Sequence, residues 1–188
     1  MNKKFIGLGV VVLLVVIVLG FFFSCYNEIV TKKENVEAKF SDIDTQLQRR
    51  ADLIPNLVSS VKGIMSHEQS VIDSVTEART KLVEAKDVSS KAEANDELTK
   101  ALNNFIVVVE AYPDLKTNTN FTNLMDELSG TENRISVARI DYNNAVKEYN
   151  SYIKKMPNSI VAGIFNFDEQ EYFKAAEGAD EVPQVNFD

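Results

Sequence analysis

The sequence predicts an all-α protein, with an N-terminal transmembrane helix followed by an antiparallel bundle of three or four long helices. Three observations carry that prediction. Phe5 to Phe23 is an unbroken apolar run preceded by Lys3 and Lys4. Beyond it, apolar residues recur at three- and four-residue steps, the period of a helix face. No β-rich stretch or Asn-Gly hairpin signal interrupts that pattern. The chain divides accordingly into an anchor (1–25), a helical bundle (26–156) and an aromatic, acidic C-terminal segment (157–188) expected to pack on the bundle.

The anchor comes first. Residues 5–23, wound as a helix, span about 28 Å at roughly 1.5 Å per residue. That matches a hydrocarbon core of roughly 30 Å, so the bilayer is the partner of residues 5–23. A cleaved secretory signal has a shorter apolar region and a small-residue cleavage site. Here the run closes on Phe21, Phe22 and Phe23, which suit an interface and not a cleavage site. The spanning reading leads. Acylation at the Ser24-Cys25 junction is an alternative, although Phe22 and Phe23 fit a lipid-modification box badly; cleavage to a free soluble protein is a third. The nearest basic residues, Lys3 and Lys4, favour an inside amino terminus and an exported body. Lys32, Lys33 and Lys39 lie farther off on the other side, so a cytoplasmic body stays open.

The first body helix carries Val36, Phe40, Ile43, Leu47, Ile54, Leu57, Val61 and Ile64 on one face. Pro55 interrupts it, but the apolar phase continues, so a kinked helix is expected there. Ser66-His67-Glu68-Gln69 fits a capping box, yet the phase runs on into Ile72, Val75, Ala78 and Leu82 and favours continuation. Ser90-Lys91-Ala92-Glu93 is a second capping box, opening a helix with Leu98, Leu102, Phe105, Val108 and Val109. Pro113 closes it. Asn118 to Asn120 offer caps for the last helix, which shows Phe121, Leu124, Leu128, Ile135, Ala138, Tyr142, Ala145, Tyr149 and Ile153 on one side and ends at Pro157. Single-stripe helices must bury their stripes together, and an antiparallel bundle does so.

Charge narrows the partners. Setting aside Lys3 and Lys4, 18 basic side chains face 28 acidic ones. Such a body is repelled by phosphate backbones, so nucleic acid is not expected as a partner. The segment 157–188 holds seven acids and one base, Lys174, with Phe165, Phe167, Tyr172, Phe173 and Phe187 among them. The single cysteine, Cys25, permits no intramolecular disulfide.

Chemistry is sparse. His67 is the only histidine, beside Glu68, and reads as a solvated or capping residue before a catalytic one. Metal sites need several His or Cys ligands at set spacing, so neither metal nor cofactor is expected. No Gly-rich phosphate loop is present. Asn120-Phe121-Thr122 matches a glycosylation acceptor, a pattern short enough to arise by chance. The expectation is a protein that is not an enzyme.

Polar residues at helical spacing beside the apolar stripe stand out instead. Arg49, Arg50, Asp52 and Asn56 surround Pro55. Glu132, Asn133, Arg134, Arg139, Tyr142, Asn143, Tyr149 and Asn150 follow the last helix. Arg and Glu on facing helices can pair and fix register. These residues are the candidate interaction or register network. The plain alternative is ordinary surface pairing.

The run Arg49-Arg50-Ala51-Asp52-Leu53-Ile54-Pro55-Asn56-Leu57-Val58 resembles the signature of the LemA family. So do Tyr112-Pro113-Asp114-Leu115-Lys116 and the run from Glu132-Asn133-Arg134-Ile135 through Ala138-Arg139 and Tyr142-Asn143 to Tyr149-Asn150. Tyr26-Asn27 and Pro183 to Phe187 are similar too. The resemblance implies a bacterial membrane protein with one span and a helical bundle. It supplies no catalytic residues, and Ser24-Cys25 departs from the family's usual anchor flank.

Two functions of different kind fit. One is a single-pass scaffold or interaction protein of the cell envelope, meeting other membrane or envelope proteins. The other is a binding module for a small ligand or envelope polymer, with Arg49, Arg50, Arg134 and Arg139 as anion contacts. Oligomeric state is left open by the residues.

Overall fold

A computed structural model describes residues 3–174, with side chains from residue 7 onward. The described residues are helical almost throughout, and none lies in a strand. The elements are α1 (Lys3–Val61), α2 (Gln69–Glu84), α3 (Val88–Val109), the single turn α4 (Pro113–Lys116), α5 (Thr119–Lys154) and α6 (Asn158–Phe165). They form two compact units. One comprises residues up to Lys39 together with Asn144–Gln170; the other comprises Phe40–Asn143 with the described residues from Glu171 onward. α1 and α5 each contribute to both.

The larger unit is an antiparallel four-helix arrangement. α1 passes through Pro55 without ending, as the apolar phase predicts. α2 returns along it, its Arg79 Nε donating to the Ala51 carbonyl at 3.1 Å. α3 runs back again, with Lys91 paired to Asp44 near its start and the Tyr112 hydroxyl donating to Glu68 beyond its end. α5 descends antiparallel to α1, bringing Glu127 to Arg49 and Tyr142 to Phe40. Ile43, Leu47, Ile54, Leu57, Val75, Leu98, Phe105 and Ile135 fill the centre.

Four local expectations need correction. α1 does not continue past Ser66: it stops at Val61, and Met65, whose backbone N–H returns to the Val61 carbonyl, is fully buried at the corner. The apolar phase persists because the turn buries Met65, not because the helix goes on. The Ser66 capping box does not form either. α2 starts at Gln69 with no side-chain cap, and Glu68 accepts from Tyr112 instead. The Ser90 box is displaced by three residues. Asp87 is the N-cap, accepting from the Ser90 N–H at 2.8 Å, while the Ser90 hydroxyl accepts from the Asp87 N–H at 3.2 Å. Finally, α3 ends at Val109, and Pro113 opens α4 as its first residue, a position where a missing N–H costs nothing. Asn118 does cap α5, its Oδ1 accepting from the N–H groups of Asn120 and Phe121.

The smaller unit packs α5 and α6 against the first part of α1. Lys32 reaches Glu148 and lies over the Tyr152 ring at 5.5 Å. The Cys25 thiol donates to Asn158 Oδ1 at 3.2 Å. Phe165 stacks obliquely on Phe22 and Tyr26, and Phe167 on Tyr26. α6 was not foreseen from the sequence. Asn166 closes it in the left-handed region (φ 55°), and the Phe167 N–H turns back to the Ala162 carbonyl. From Leu8 to Leu19 the large apolar side chains of α1 are exposed. Among the described residues α1 is the one helix long and apolar enough to cross a membrane.

Candidate functional site

The structure places the sequence-marked polar residues in three settings. The first is a buried cluster around Arg50. α1 presents Arg50 inward, one residue before Ala51 and four before Ile54 on the buried face, and leaves it 3% exposed. Its Nη1 donates to Asn95 Oδ1 at 2.6 Å and to the Thr99 hydroxyl at 3.1 Å, both on α3. The same nitrogen lies 2.7 Å from Glu132 Oε2 on α5, a close ion pair. Arg50 Nε and Asn95 Nδ2 are buried without a hydrogen-bond partner. Burial lowers the Arg50 pKa from its ordinary value, opposed by the charges of Glu132 and Asp96. One cation thereby ties α1, α3 and α5 together. Asn95 and Thr99 escaped the sequence reading. The available signal was Asn95 standing three residues before Leu98 on the apolar face of α3, where an amide needs a partner.

The second setting is a set of backbone clamps on α5. In the larger unit Asn143 Nδ2 donates to the Phe173 carbonyl at 3.0 Å while its Oδ1 accepts from the Phe173 N–H at 2.9 Å. Tyr142 donates to the Glu171 carbonyl, and Arg139 donates to the Lys174 carbonyl while lying 5.0 Å from the Phe173 ring centroid. In the smaller unit Asn150 engages both backbone groups of Gln170 in the same way, at 2.8 and 2.9 Å, and Tyr149 donates to the Asp168 carbonyl. Each Tyr-Asn pair therefore holds a stretch of non-helical chain by its peptide groups. Phe173 is buried, Tyr172 is exposed, and Phe187 lies outside the described residues. Burial pushes the Tyr142 phenol up to about 12, with Glu171 adding to the effect; Tyr149 is raised for the same reasons, Asp168 taking the place of Glu171.

The third setting is surface. Arg49 pairs with Glu127, both about half-exposed, and Asp52 accepts from Gln48. Asn56 and Asn133 are exposed. Arg134 has no ion-pair partner among the described residues. With Asp42, Thr45, Gln46, Asn133, Val137, Ala138 and Asp141 it lines an open groove of about 440 Å³ between α1 and α5. Gln46 Oε1 is buried there without a hydrogen-bond partner. His67 is exposed in the turn before α2. Among the described residues no group of three or more His, Cys, Asp or Glu is arranged to hold a metal.

A helical bundle with one spanning-length apolar helix, most of its marked polar residues engaged with its own chain, defines the class: a membrane-associated helical protein. The family profile agrees with the motifs: it matches residues 39–187, and the chain belongs to the LemA family. Among curated relatives, magnetosome protein MamQ 2 of Paramagnetospirillum magneticum is 30% identical over 82% of this chain and 66% of its own length. MamQ of Magnetospirillum gryphiswaldense is 27% identical, over 85% and 70% respectively. Protein LemA of Metamycoplasma hominis is 24% identical, over 88% and 78%. The chain thus spans slightly under two thirds of the length of the first of these.

Proposed function

We propose that this chain is a membrane-tethered helical scaffold of the bacterial cell envelope, working by contact and not by catalysis. One observation carries the reading: the candidate polar residues are mostly spent on the protein's own chain. Arg50, Asn143 and Asn150 hold helices or backbone, and what faces outward includes an open groove lined by Val137 and, on the same helix, the exposed side chain of Ile140. A tether confines such a surface to the plane of the membrane and raises its effective concentration toward other membrane proteins. The exposed apolar side chains of α1 support the tether. Cys25 lies buried inside an unbroken helix, which supports a span over an acylated terminus. The relatives' names record a place, the magnetosome, and no reaction. The body belongs on the exported side, by the lysines nearest the span.

A photo-crosslinking residue at Ile140, in cells, tests the scaffold. A reproducible adduct with one envelope protein is expected; recovery of uncoupled monomer alone would count decisively against it. Labelling of a cysteine placed near the carboxyl terminus, in intact cells carrying Cys25→Ser, reads the compartment.

A second reading has an anionic ligand or envelope polymer meet Arg134, the one basic side chain lining the groove, against the opposing charges of Asp42 and Asp141. Arg49, Arg50 and Arg139 are engaged elsewhere, so Arg134 is the arginine left to serve it. A ligand at a hundred times its Kd would stabilise the fold by about 2.7 kcal/mol. A thermal shift that survives Arg134→Ala would remove this reading.

A further inference from the structure

The segment 158–165, Asn-Ser-Ile-Val-Ala-Gly-Ile-Phe, contains no charged residue and is apolar on more than one side. Val161 and Ala162 are buried against the protein. The opposite row, Ile160 and Ile164, stands one turn apart and is 52% and 59% exposed; Met156 and Phe165 are exposed beside it. A helix apolar all round is normally covered on every side. Within the same unit α6 lies against the end of the apolar run of α1. Its first residue, Asn158, accepts from Cys25, and its last, Phe165, stacks on Phe22 and Tyr26, 5.9 and 4.7 Å between ring centroids. Phe22 belongs to the apolar run itself. Whatever surrounds Phe22 therefore begins at the level of α6.

We propose that α6 is an interfacial membrane helix: its Ile160–Ile164 row enters the boundary between headgroups and acyl chains of the same bilayer that α1 spans. The inference rests on the spanning reading of α1. Rings at that depth, here Phe22, Tyr26, Phe165 and Phe167, suit the boundary, where an aromatic body meets apolar chains on one side and water on the other. A short helix without charge lying in the plane of the interface buries an apolar row there while its polar ends stay wet. Lys154 and Lys155 precede α6 and Asp168 and Glu169 follow it, so the charges bracket the apolar stretch and do not interrupt it. The bilayer is favoured over a second protein as the cover because Phe165, at the end of α6, stacks on Phe22 of the apolar run itself, so the helix sits where the span ends.

The chain contains no tryptophan, so one introduced indole reports one depth. Full-length Ile164→Trp, Ile160→Trp, Leu13→Trp and Val107→Trp variants are reconstituted in phosphatidylcholine vesicles containing lipid brominated either near the headgroup end or near the methyl end of the acyl chain. Unchanged far-ultraviolet dichroism shows that each folds. Emission from Ile164→Trp and Ile160→Trp should be quenched several-fold more by the shallow label than by the deep one. Leu13→Trp should show the reverse order, and Val107→Trp, on the exposed surface of α3, should respond to neither. If the α6 indoles escape both labels while Leu13→Trp is quenched, the interfacial helix is wrong and the span stands. Strongest quenching of the α6 indoles by the deep label overturns the interfacial placement as well. If Leu13→Trp also escapes, the span itself fails, and the inference with it.

Discussion

Arg50 and Arg49 are neighbours with opposite fates, and the difference is burial. Arg49 meets Glu127 where water screens both charges, and such pairs are worth about 0–1 kcal/mol. Arg50 is enclosed by Asn95, Thr99 and Glu132. Removing it leaves a buried amide and a half-exposed carboxylate without their cation. Arg50→Ala should cost about 2–3 kcal/mol, below the full penalty of a wholly buried pair because Glu132 keeps some solvent. Arg49→Ala should stay within about 0.5 kcal/mol. Urea midpoints of the full chain in detergent separate the two; equal losses would show that the Arg50 cluster carries no special weight. Asn166 offers a second test of a single residue. Its left-handed backbone is strained for a β-branched side chain, so Asn166→Val should lose about 1–2 kcal/mol while Asn166→Gly stays near wild type. The two midpoints should differ accordingly.

The helices show what sequence reading resolves and where it stops. The stripe through Ile43, Leu47, Ile54 and Leu57 gives α1 its buried face, and one proline cannot break a phase that the core enforces. The turn at Met65 was hidden for the same reason: periodicity reports which residues are buried, not whether the chain between them is straight. Asp87 was missed because a Ser-x-x-Glu pattern competed with it three residues on, and only hydrogen-bond geometry decides between adjacent cap candidates. Of the marked residues, Arg50 and Glu132 form an ion pair between α1 and α5, a pairing that spacing along one helix does not specify. The clamps were beyond reach, since an asparagine that grips peptide groups needs a partner with no side-chain signature. Asn143 contributes two hydrogen bonds to one residue, so Asn143→Ala should speed hydrogen exchange at the Phe173 amide roughly tenfold or more, at about 1–2 kcal/mol for the pair. Asn150→Ala should do the same at Gln170. An unaltered Phe173 rate would mean that burial of its ring, and not the asparagine, holds the segment.

Across the whole molecule the acidic balance of −8 and the raised tyrosines set the pH response. The folded state favours the neutral Tyr142 phenol. Its contribution is therefore complete below pH 10, the ordinary tyrosine value, and is lost as pH rises from 10 through about 12. Urea midpoints should fall across that window, and Tyr142→Phe, which cannot ionise there, should fall less steeply. An identical slope would assign the alkaline loss to other groups. The order of the chain carries a last consequence. The smaller unit is built from residues up to Lys39 and from Asn144–Gln170, with the bulk of the larger unit encoded between them. During translation the first part of α1 is made before α5 and α6, and the residues that cover Cys25 and Lys32 are not made until Phe40–Asn143 have been synthesised. A nascent chain thus depends on the lipid, or on a chaperone, to shelter that apolar surface while the intervening segment is made.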